Sequence, residues 1–408
     1  MSLRASRCAI GFLLVAASAW IAFASTTLGD YPADAGPPLD ALLRWDLSAF
    51  LAAQADMGPV SILLRAPFAA LGGDELSVYR WGSLPCVLAA GLLGLYLARL
   101  AGRRGAGTLA QAALVAVCLF NPLTFAALEL GHPEEILTAA LAVGAVAVAS
   151  QGHTVRATLL LGLAIASKQW AVIAILPVLM ALPSSRIRVA LGAAGISLAL
   201  LLPAVLADSG GFLETQRSLA IETQYIGHWS AWYPTAIPTT HVVAATGMTT
   251  DTYRASGLLA GASHPLIVLL AMLVPLAVAL RRRSFGLTGS EAMAMLALLV
   301  LLRCALDPVN NLYYHEPLLL ALAGWDATSR RGLPVRALGA ALVFELLSRW
   351  QQQPFDPHEF NAAYLTIAVA AAIAIAVALL RPQPWLRGGR LPPAAAIARG
   401  RLEQTSGH

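Results

Sequence analysis

The sequence predicts an all-α protein that crosses a membrane many times, as a bundle of about 10–13 transmembrane helices. Hydrophobic residues make up 58% of the 408 residues and charged residues only 12%, whereas a soluble domain has about 25% charged residues. The mean hydropathy is +0.69. Apolar runs of about 17 to 25 residues, the length of a membrane-spanning helix, recur along the chain. The net charge of +5 requires no nucleic-acid partner, because basic residues on cytoplasmic loops account for it.

The apolar runs place the predicted helices in order along the chain. The first span covers residues 7–28, where the long apolar run favours an uncleaved helix over a signal peptide. Residues 155–182 are too long for one span and contain Ser167, Lys168 and Gln169, so we interpret them as a hairpin of two short helices. One continuous helix is the alternative. The remaining spans are predicted near residues 76–100, 107–128, 133–150, 186–207, 260–280, 287–305, 310–326, 333–350 and 360–380.

The basic residues predict which side of the membrane each loop occupies. With a cytoplasmic N-terminus and a hairpin at 155–182, every arginine cluster between spans falls on the cytoplasmic side. This predicts a multi-pass plasma-membrane protein with both termini in the cytoplasm. It has a membrane domain over residues 1–381 and a disordered tail, rich in Arg, Pro and Gly, over 382–408. The external loops are about 29–75 and 208–258. Almost all acids and most histidines lie on the extracytoplasmic face. Because acids contribute little to topology, this distribution suggests that the extracytoplasmic face is the functional one.

Several polar residues lie at the start of the predicted span at 133–150, in the sequence GHPEE at 131–135. Pro133 suits the first helical turn, and Glu134 and Glu135 suit the positive end of the helix dipole. Helix capping explains one acid but not the whole group. A histidine flanked by carboxylates can accept a proton, ligate a metal or bind sugar hydroxyls. We therefore favour a substrate-binding site at His132, Glu134 and Glu135, with capping as the alternative.

The first external loop contains two further candidates. Residues 42–53 are predicted to form an amphipathic helix on the membrane surface. Asp46 would then lie at the level of the lipid headgroups, although it would equally serve as a helix cap or be simply solvated. Arg65 stands in a short apolar helix, where facing lipid is costly, so we expect it to pair with an acid or a phosphate.

Two later segments complete the set of candidates. Lys168 and Gln169 mark the turn of the predicted hairpin; an intramembrane lysine indicates a functional site, with snorkelling to the interface as the alternative. Between the predicted spans at 287–305 and 310–326, the chain carries amides, tyrosines and a His–Glu pair. These groups suit a hydroxyl-rich ligand, although tyrosines also form interfacial belts. The candidates in this segment are Asp307, Asn311, Tyr314, His315 and Glu316.

Taken in order, these segments resemble the integral-membrane glycosyltransferases of the GT-C class. The nearest match is glycosyltransferase family 87, a group of actinobacterial enzymes that depend on polyprenyl-phosphate mannose. The resemblance rests on WDLSAF at 45–50 in the first external loop and on GH at 131–132. It also rests on the lysine and apolar run at 168–182, and on the segment 307–315. The Ala-rich composition is compatible with an actinobacterial source.

The resemblance implies transfer of a sugar from a polyprenyl-phosphate donor to a lipid or glycan acceptor at the extracytoplasmic face. The sugar is expected to be mannose or another hexose or pentose. Asp46 would be the general base and His315 a second catalytic residue, and Lys168 with Arg65 would stabilise the leaving phosphate. The other candidates would bind substrate: His132, Glu134, Glu135, Gln169, Asp307, Asn311, Tyr314 and Glu316. No cofactor is expected. A divalent metal that bridges phosphate and carboxylate is the alternative, but the first loop lacks an Asp-x-Asp pair, so no metal site is assigned.

Two other function classes remain open from the sequence. One is a transporter or flippase for a lipid-linked or small polar solute, which predicts ionisable residues near the bilayer midplane. The other is a non-catalytic membrane scaffold with the same fold. The sequence has no Gly-rich phosphate loop, no HExxH and no GxSxG, so a soluble nucleotide-using enzyme, a zinc protease and an α/β-type serine hydrolase are unsupported.

Overall fold

The computed structural model describes residues 3–53, 57–221, 226–242, 249–255 and 257–381, so the predicted tail at 382–408 lies outside the described residues. The described chain is almost entirely helical. Its α-helices are α1 (Leu3–Ala24), α2 (Gly36–Leu43), α3 (Leu47–Ala52), α4 (Pro59–Ala69), α5 (Glu75–Arg103), α6 (Thr108–Leu119), α7 (Pro122–Glu129), α8 (Pro133–Ala149), α9 (Thr154–Ser167), α10 (Ile175–Ala181), α11 (Arg186–Ala207), α12 (Ser209–Ile221), α13 (Gly257–Arg282), α14 (Gly289–Leu306), α15 (Glu316–Ser329), α16 (Val335–Gln351) and α17 (Pro357–Leu380).

Short 3₁₀ segments and one β-hairpin complete the described elements. The 3₁₀ segments are Gln169–Ala174, Tyr233–Thr235 and Leu312–His315. Strands β1 (Ile237–Val242) and β2 (Thr249–Arg254) pair antiparallel, with Ile237 opposite Arg254.

The prediction of a multi-pass, all-α membrane protein is confirmed. Within the described residues, six helical stretches are long and apolar enough to cross a membrane, and four shorter apolar helices accompany them. The predicted count of about 10–13 spanning helices is not reached by this criterion. Helices were predicted at nearly all the right places, but α8, α15 and α16 have 17, 14 and 17 residues, which is shorter than the roughly 20 residues of a typical membrane span.

The segment at 155–182 folds as the predicted hairpin. α9 ends at Ser167, Lys168 has an extended backbone, and the chain then returns through the 3₁₀ turn and α10. The two ends of the segment meet, since a Cβ on Gly152 would lie 3.9 Å from Cγ of Pro183. The turn of the hairpin at Lys168, which we call the hairpin tip, therefore lies at one end of the bundle. The two ends of the segment lie at the other end.

The two ends of the bundle differ in charge. We call the end that contains residues 30, 132, 168 and 307 the polar end, and the end that contains residues 104, 150, 186 and 282 the basic end. Contacts between distant segments define the basic end: Arg282 pairs with Glu291 at 2.7 Å, and a Cβ on Gly105 would lie 3.8 Å from the side chain of Arg331. The arginine clusters at 103–104, 281–283 and 330–331 therefore lie at the same end of the bundle.

The core of the bundle is built from α8, α14 and α15, which are buried along almost their whole length. Each of them contains several alanines and one glycine, and small residues allow membrane helices to approach closely. A Cβ on Gly324 would lie only 2.7 Å from Sδ of Met293. The three helices are therefore closely packed against one another.

The first external loop differs from the single amphipathic helix predicted over residues 42–53. It forms α2 and α3, with a break at Trp45 and Asp46, followed by α4. The break arises because Trp45 has a positive φ of 58° and Asp46 begins a new helix as its N-cap. The second predicted external loop, 208–258, contains α12 and the β-hairpin in its described parts.

Candidate functional site

Two glycines allow the loop after α1 to pack directly against the loop before α8. Gly29 and Gly131 have φ angles of +52° and +90°, a region in which residues with a Cβ are strained. A Cβ on Gly131 would lie 2.6 Å from the backbone nitrogen of Tyr31. The amide of Asp30 donates to the carbonyl of Leu130 at 3.0 Å. These contacts hold Asp30 beside the start of α8.

His132 joins two carboxylates at this junction. Its Nε2 lies 3.2 Å from Oδ2 of Asp30, and its Nδ1 lies 3.0 Å from Oε1 of Glu134. The imidazole ring stacks on the ring of Tyr313 at 4.6 Å between centroids. The carboxyl of Asp30 is 70% exposed, whereas the side chains of His132 and Glu134 are 8% and 0% exposed. Asp30 is therefore the accessible member of the chain of contacts.

Lys168 lies at the hairpin tip between the two glutamates of α8. Its Nζ is 3.3 Å from Oε1 of Glu134 and 3.2 Å from Oε1 of Glu135. The indole of Trp170 donates to the other oxygen of Glu135 at 2.8 Å. The lysine side chain is 16% exposed. An ammonium has three N–H groups, so one remains for another anion.

Arg65 approaches the same glutamate from α4. It is fully buried, its Nη1 lies 3.7 Å from Oε2 of Glu134, and its guanidinium lies 5.6 Å from the ring of Tyr31. No hydrogen-bond acceptor among the described residues reaches its nitrogens. The start of α4 is fixed by the amide of Gly58, which donates to the carbonyl of Ser167 at 2.8 Å. We call the resulting group the His132 cluster: Asp30, Arg65, His132, Glu134, Glu135 and Lys168.

A further cation, Arg303, lies beside this cluster on α14. The guanidinium of Arg303 lies 5.3 Å from the ring of Trp170 and 4.6 Å from the ring of Tyr314. It also lies 3.9 Å from the carboxylate of Asp307. Of the predicted late-chain residues, Tyr314 and Asp307 therefore connect to the cluster through Arg303 and Trp170.

An apolar cavity of about 220 Å³ opens next to the hairpin tip. Its walls come from the first external loop, from the hairpin and from α11, whose outer residues Leu198 and Leu206 are exposed. Gln169 lines it and directly follows Lys168 in the chain. The main lining residues are Phe50, Met57, Ile62, Ile165, Leu200 and Pro203.

His315, predicted to be catalytic, lies in a different environment. Its Nδ1 donates to the carbonyl of Leu312 at 3.0 Å, so its Nε2 accepts from the hydroxyl of Tyr364 at 2.9 Å. The ring is fully buried against Trp229 and other aromatic side chains. Asn310 donates to the same tyrosine and to the carbonyl of Trp229. We call these four residues the His315 cluster: Trp229, Asn310, His315 and Tyr364.

Three other predicted residues have partners outside these two clusters. Asp46 is exposed at the start of α3, and its carboxylate accepts from the amide of Ala49 at 2.9 Å and from Ser48 at 2.7 Å. This is the helix cap that the sequence left open as an alternative. Asn311 accepts from the next amide in the chain. Glu316 is buried and accepts hydrogen bonds from Asn121 and Thr124 at 3.3 and 3.1 Å.

The contacts in the His132 cluster alter the acidity of its loop residues. The hydrogen bond from His132 holds the pKa of Asp30 below its usual value. Burial lowers the pKa of His132, but its hydrogen bonds to Asp30 and Glu134 outweigh burial and raise the pKa to about 9. The histidine is therefore a cation at neutral pH. At Asp46, the hydrogen bond from the amide of Ala49 lowers the pKa.

Two residues of the site were not predicted from the sequence. Asp30 follows the first helix in the stretch Leu-Gly-Asp-Tyr, and its position between a glycine and a tyrosine just after the first span was the available signal. Arg303 interrupts the apolar run LLVLLRCAL, and a charge within a membrane helix indicates function. Among the described residues, no group of three or more His, Cys, Asp or Glu side chains has the arrangement of a metal site.

Comparisons with known proteins agree with this architecture. Residues 47–184 match the model of the MptA_B family, described as the N-terminal domain of alpha-(1->6)-mannopyranosyltransferase. The match covers roughly a third of the chain and confirms the resemblance to mannosyltransferases over that segment. Among curated proteins, none matches the sequence.

A solved structure shares the fold. The crystal structure of ArnT from Cupriavidus metallidurans bound to undecaprenyl phosphate aligns with a TM-score of 0.51 and 16% identity, over 99% of this chain and 73% of that chain. This similarity confirms the polytopic, GT-C-like helical fold. The apo crystal structure of ArnT aligns with a TM-score of 0.48 and 19% identity, over 92% of this chain and 71% of that one.

Proposed function

We propose that this protein transfers a sugar from a polyprenyl-phosphate donor to a lipid or glycan acceptor at the extracytoplasmic face of the plasma membrane. The observation that carries the proposal is the His132 cluster, an accessible carboxylate and buried cations brought together beside an apolar cavity at one end of a membrane bundle. The sugar is mannose or another hexose or pentose, which is consistent with the mannosyltransferase family that matches residues 47–184.

The donor lipid fits the chemistry next to the hairpin tip. The apolar cavity beside Gln169 suits an isoprenoid chain, and it lies between the first external loop and α11, whose outer residues are exposed as expected for a lipid-facing helix. The remaining N–H of Lys168 suits a phosphate oxygen. ArnT, which shares the fold, was crystallised with undecaprenyl phosphate. The shared fold and the cavity therefore support a lipid-linked donor.

The reaction requires a base at the acceptor hydroxyl and positive charge at the leaving phosphate. The acceptor oxygen attacks the anomeric carbon, the bond from that carbon to the phosphate oxygen breaks, and the hydroxyl proton passes to a carboxylate. Asp30 fits the role of base because it is the exposed carboxylate of the cluster. Lys168 and Arg65 stabilise the charge that develops on the leaving polyprenyl phosphate. This assignment moves the base from Asp46, which caps its own helix, to Asp30.

Orientation in the membrane follows from the arginine pattern of the sequence. The basic end carries the clustered arginines, which favour the cytoplasmic side, so the polar end faces outward. Both termini are then cytoplasmic.

The test replaces Asp30 with asparagine, which keeps the size of the side chain. Purified protein in nanodiscs is given radiolabelled polyprenyl-phosphate mannose and octyl α-mannoside as acceptor, and the labelled product is counted. Loss of a positioned general base is expected to lower the transfer rate by about 100- to 10,000-fold. Asp74→Asn is the matched control, because Asp74 is an exposed acid of the same face that caps α5.

Two results contradict the proposal at different levels. Wild-type protein that transfers no sugar with any acceptor, or that moves the lipid without consuming its sugar, contradicts glycosyl transfer. An Asp30→Asn variant that keeps its rate while the wild type is active contradicts only the assignment of the base.

A further inference from the structure

Both ring nitrogens of His132 are already engaged. Oδ2 of Asp30 and Oε1 of Glu134 are the atoms that face them, at 3.2 and 3.0 Å. Ionised carboxylates only accept hydrogen bonds, so both nitrogens must donate. The side chain is also only 8% exposed. His132 therefore has no free nitrogen for a sugar hydroxyl, which was its expected role.

The ring is held in place from several sides. Its face lies against Tyr313 with an angle of 18° between the planes. The amide of His132 donates to the carbonyl of Ala127 at 2.7 Å. Glu134, which faces Nδ1 of the ring, is in turn paired with Lys168 and Arg65. A group held this rigidly is suited to orienting a partner.

Asp30, in contrast, depends on His132 for its orientation. Its carboxyl is largely exposed, and Oδ2 receives its hydrogen bond from His132. Among the described residues, no donor to Oδ1 is present. One oxygen is thus held and the other is available to the acceptor hydroxyl, which is the arrangement that a general base needs.

We infer that His132, as an imidazolium clamped between Asp30 and Glu134, is the positioning residue that orients the general base for sugar transfer. This inference rests on the proposed function and assigns a role that differs from sugar binding. The charged groups that face the ring are Asp30 from the loop after α1, Glu134 from α8 and Lys168 from the hairpin tip, and the ring of Tyr313 covers one side.

The arrangement requires the charged form of the histidine. A neutral imidazole has one N–H, so it can donate to only one of the two carboxylates and presents a lone pair to the other. The hydrogen bonds to the two carboxylates raise the pKa of His132 to about 9. The turnover rate should therefore fall as pH rises through about 9, because Asp30 or Glu134 then loses its donor.

The first test measures kcat, the KM for the donor and the pH profile of His132→Asn in the transfer assay. We expect kcat to fall by up to about 100-fold, as for a small misplacement of a reacting group. The KM for the donor should stay within about twofold, and the alkaline limb near pH 9 should disappear. His153→Asn is the control, because His153 is an exposed histidine at the basic end.

A second variant keeps the inference testable where His132→Asn folds poorly. Glu134→Gln removes one of the two carboxylates that stabilise the imidazolium, and loss of such a neighbour lowers a histidine pKa by about one unit or more. The alkaline limb of the pH profile of kcat should then move to lower pH, even if kcat itself is lower than in the wild type.

The outcomes distinguish a failure of the proposed function from a failure of the role assigned to His132. A wild type without transfer activity overturns the proposed function. An active wild type whose His132→Asn variant keeps both its kcat and its alkaline limb overturns the role of His132 alone. The same holds if the limb stays in place in Glu134→Gln, or if His132→Asn changes only the KM.

Discussion

The His132 cluster and the His315 cluster look alike in the sequence and differ in the fold. Each has a histidine at the start of a buried helix with an acid one or two residues later. In the His132 cluster the ring bridges two carboxylates and reaches an exposed acid. In the His315 cluster the ring bridges a carbonyl and a tyrosine and is wholly enclosed. Charge and access, rather than residue type, distinguish a candidate reaction centre from a structural polar core.

Lys168→Met should produce the largest effect in this comparison. The change leaves Glu134 and Glu135 side by side with less positive charge, and breaking a buried ion pair costs about 3–5 kcal/mol. The transfer rate per folded molecule should fall by about 100- to 1,000-fold, because a donor to the leaving phosphate is lost. Initial rates and unfolding temperatures measure the two effects. Lys168→Arg keeps the charge and should lose less of both, and a methionine variant with near-normal turnover would rule out this role.

The same residue offers a direct test of donor binding. Lys168 is the only lysine of the chain, so an amine-specific reagent modifies this side chain and the N-terminus alone. Decaprenyl phosphate at saturation should slow modification of Lys168 several-fold and leave the N-terminus unaffected, as read by peptide mass spectrometry. Equal rates of Lys168 modification with and without the lipid would show that the phosphate does not bind at Lys168.

Gly131→Ala should disrupt the junction that positions Asp30. Gly131 has a φ of +90°, and a Cβ there would collide with the loop after α1, so we expect a loss of about 1–3 kcal/mol in stability. The transfer rate should fall further than stability alone explains, because Asp30 moves relative to His132. Gly73→Ala is the matched control, since no atom lies within 4 Å of its added Cβ. Equal behaviour of the two variants in thermal unfolding and in the transfer assay would contradict the proposed junction.

Much of the fold follows from local physics, whereas the choice among acids does not. The apolar runs predict where the helices lie, and the side-sorting of arginines predicts the hairpin around Lys168. Arg65, Glu134 and Glu135 were predicted because charges in apolar helices need partners. Asp30 and Asp46 share the first external loop, and no local pattern separates them. The separation comes from Gly29 and Gly131, which meet only in the folded chain.

The surroundings of His315 were beyond the reach of the sequence for the same reason. Its hydrogen-bond partner Tyr364 lies 49 residues later, on α17, and its ring is covered by Trp229 from the second external loop. Sequence spacing carries no information on such packing. A histidine next to a glutamate looks reactive until its neighbours are known.

Tyr364→Phe, in the His315 cluster, should have a smaller effect than the changes in the His132 cluster. It removes the hydroxyl that donates to His315 and accepts from Asn310, so stability should fall by about 0.5–1.5 kcal/mol. The transfer rate per folded molecule should stay within about twofold, because this cluster stabilises the fold. The measurements are thermal unfolding and the transfer assay. A rate that falls by more than tenfold in a stably folded Tyr364→Phe protein would restore the catalytic role first predicted for His315.

Asp46→Asn should have the smallest effect. Asparagine caps a helix about as well as aspartate, so the hydrogen bond from the amide of Ala49 is kept and the unfolding temperature should stay almost unchanged. Asp46→Ala loses the cap and should unfold at a lower temperature than Asp46→Asn, again with an almost unchanged transfer rate. A base acts through its charge and a cap through its oxygen, so the asparagine variant distinguishes the two roles. A large loss of rate in Asp46→Asn with normal unfolding, set against an active Asp30→Asn, would return the base to Asp46.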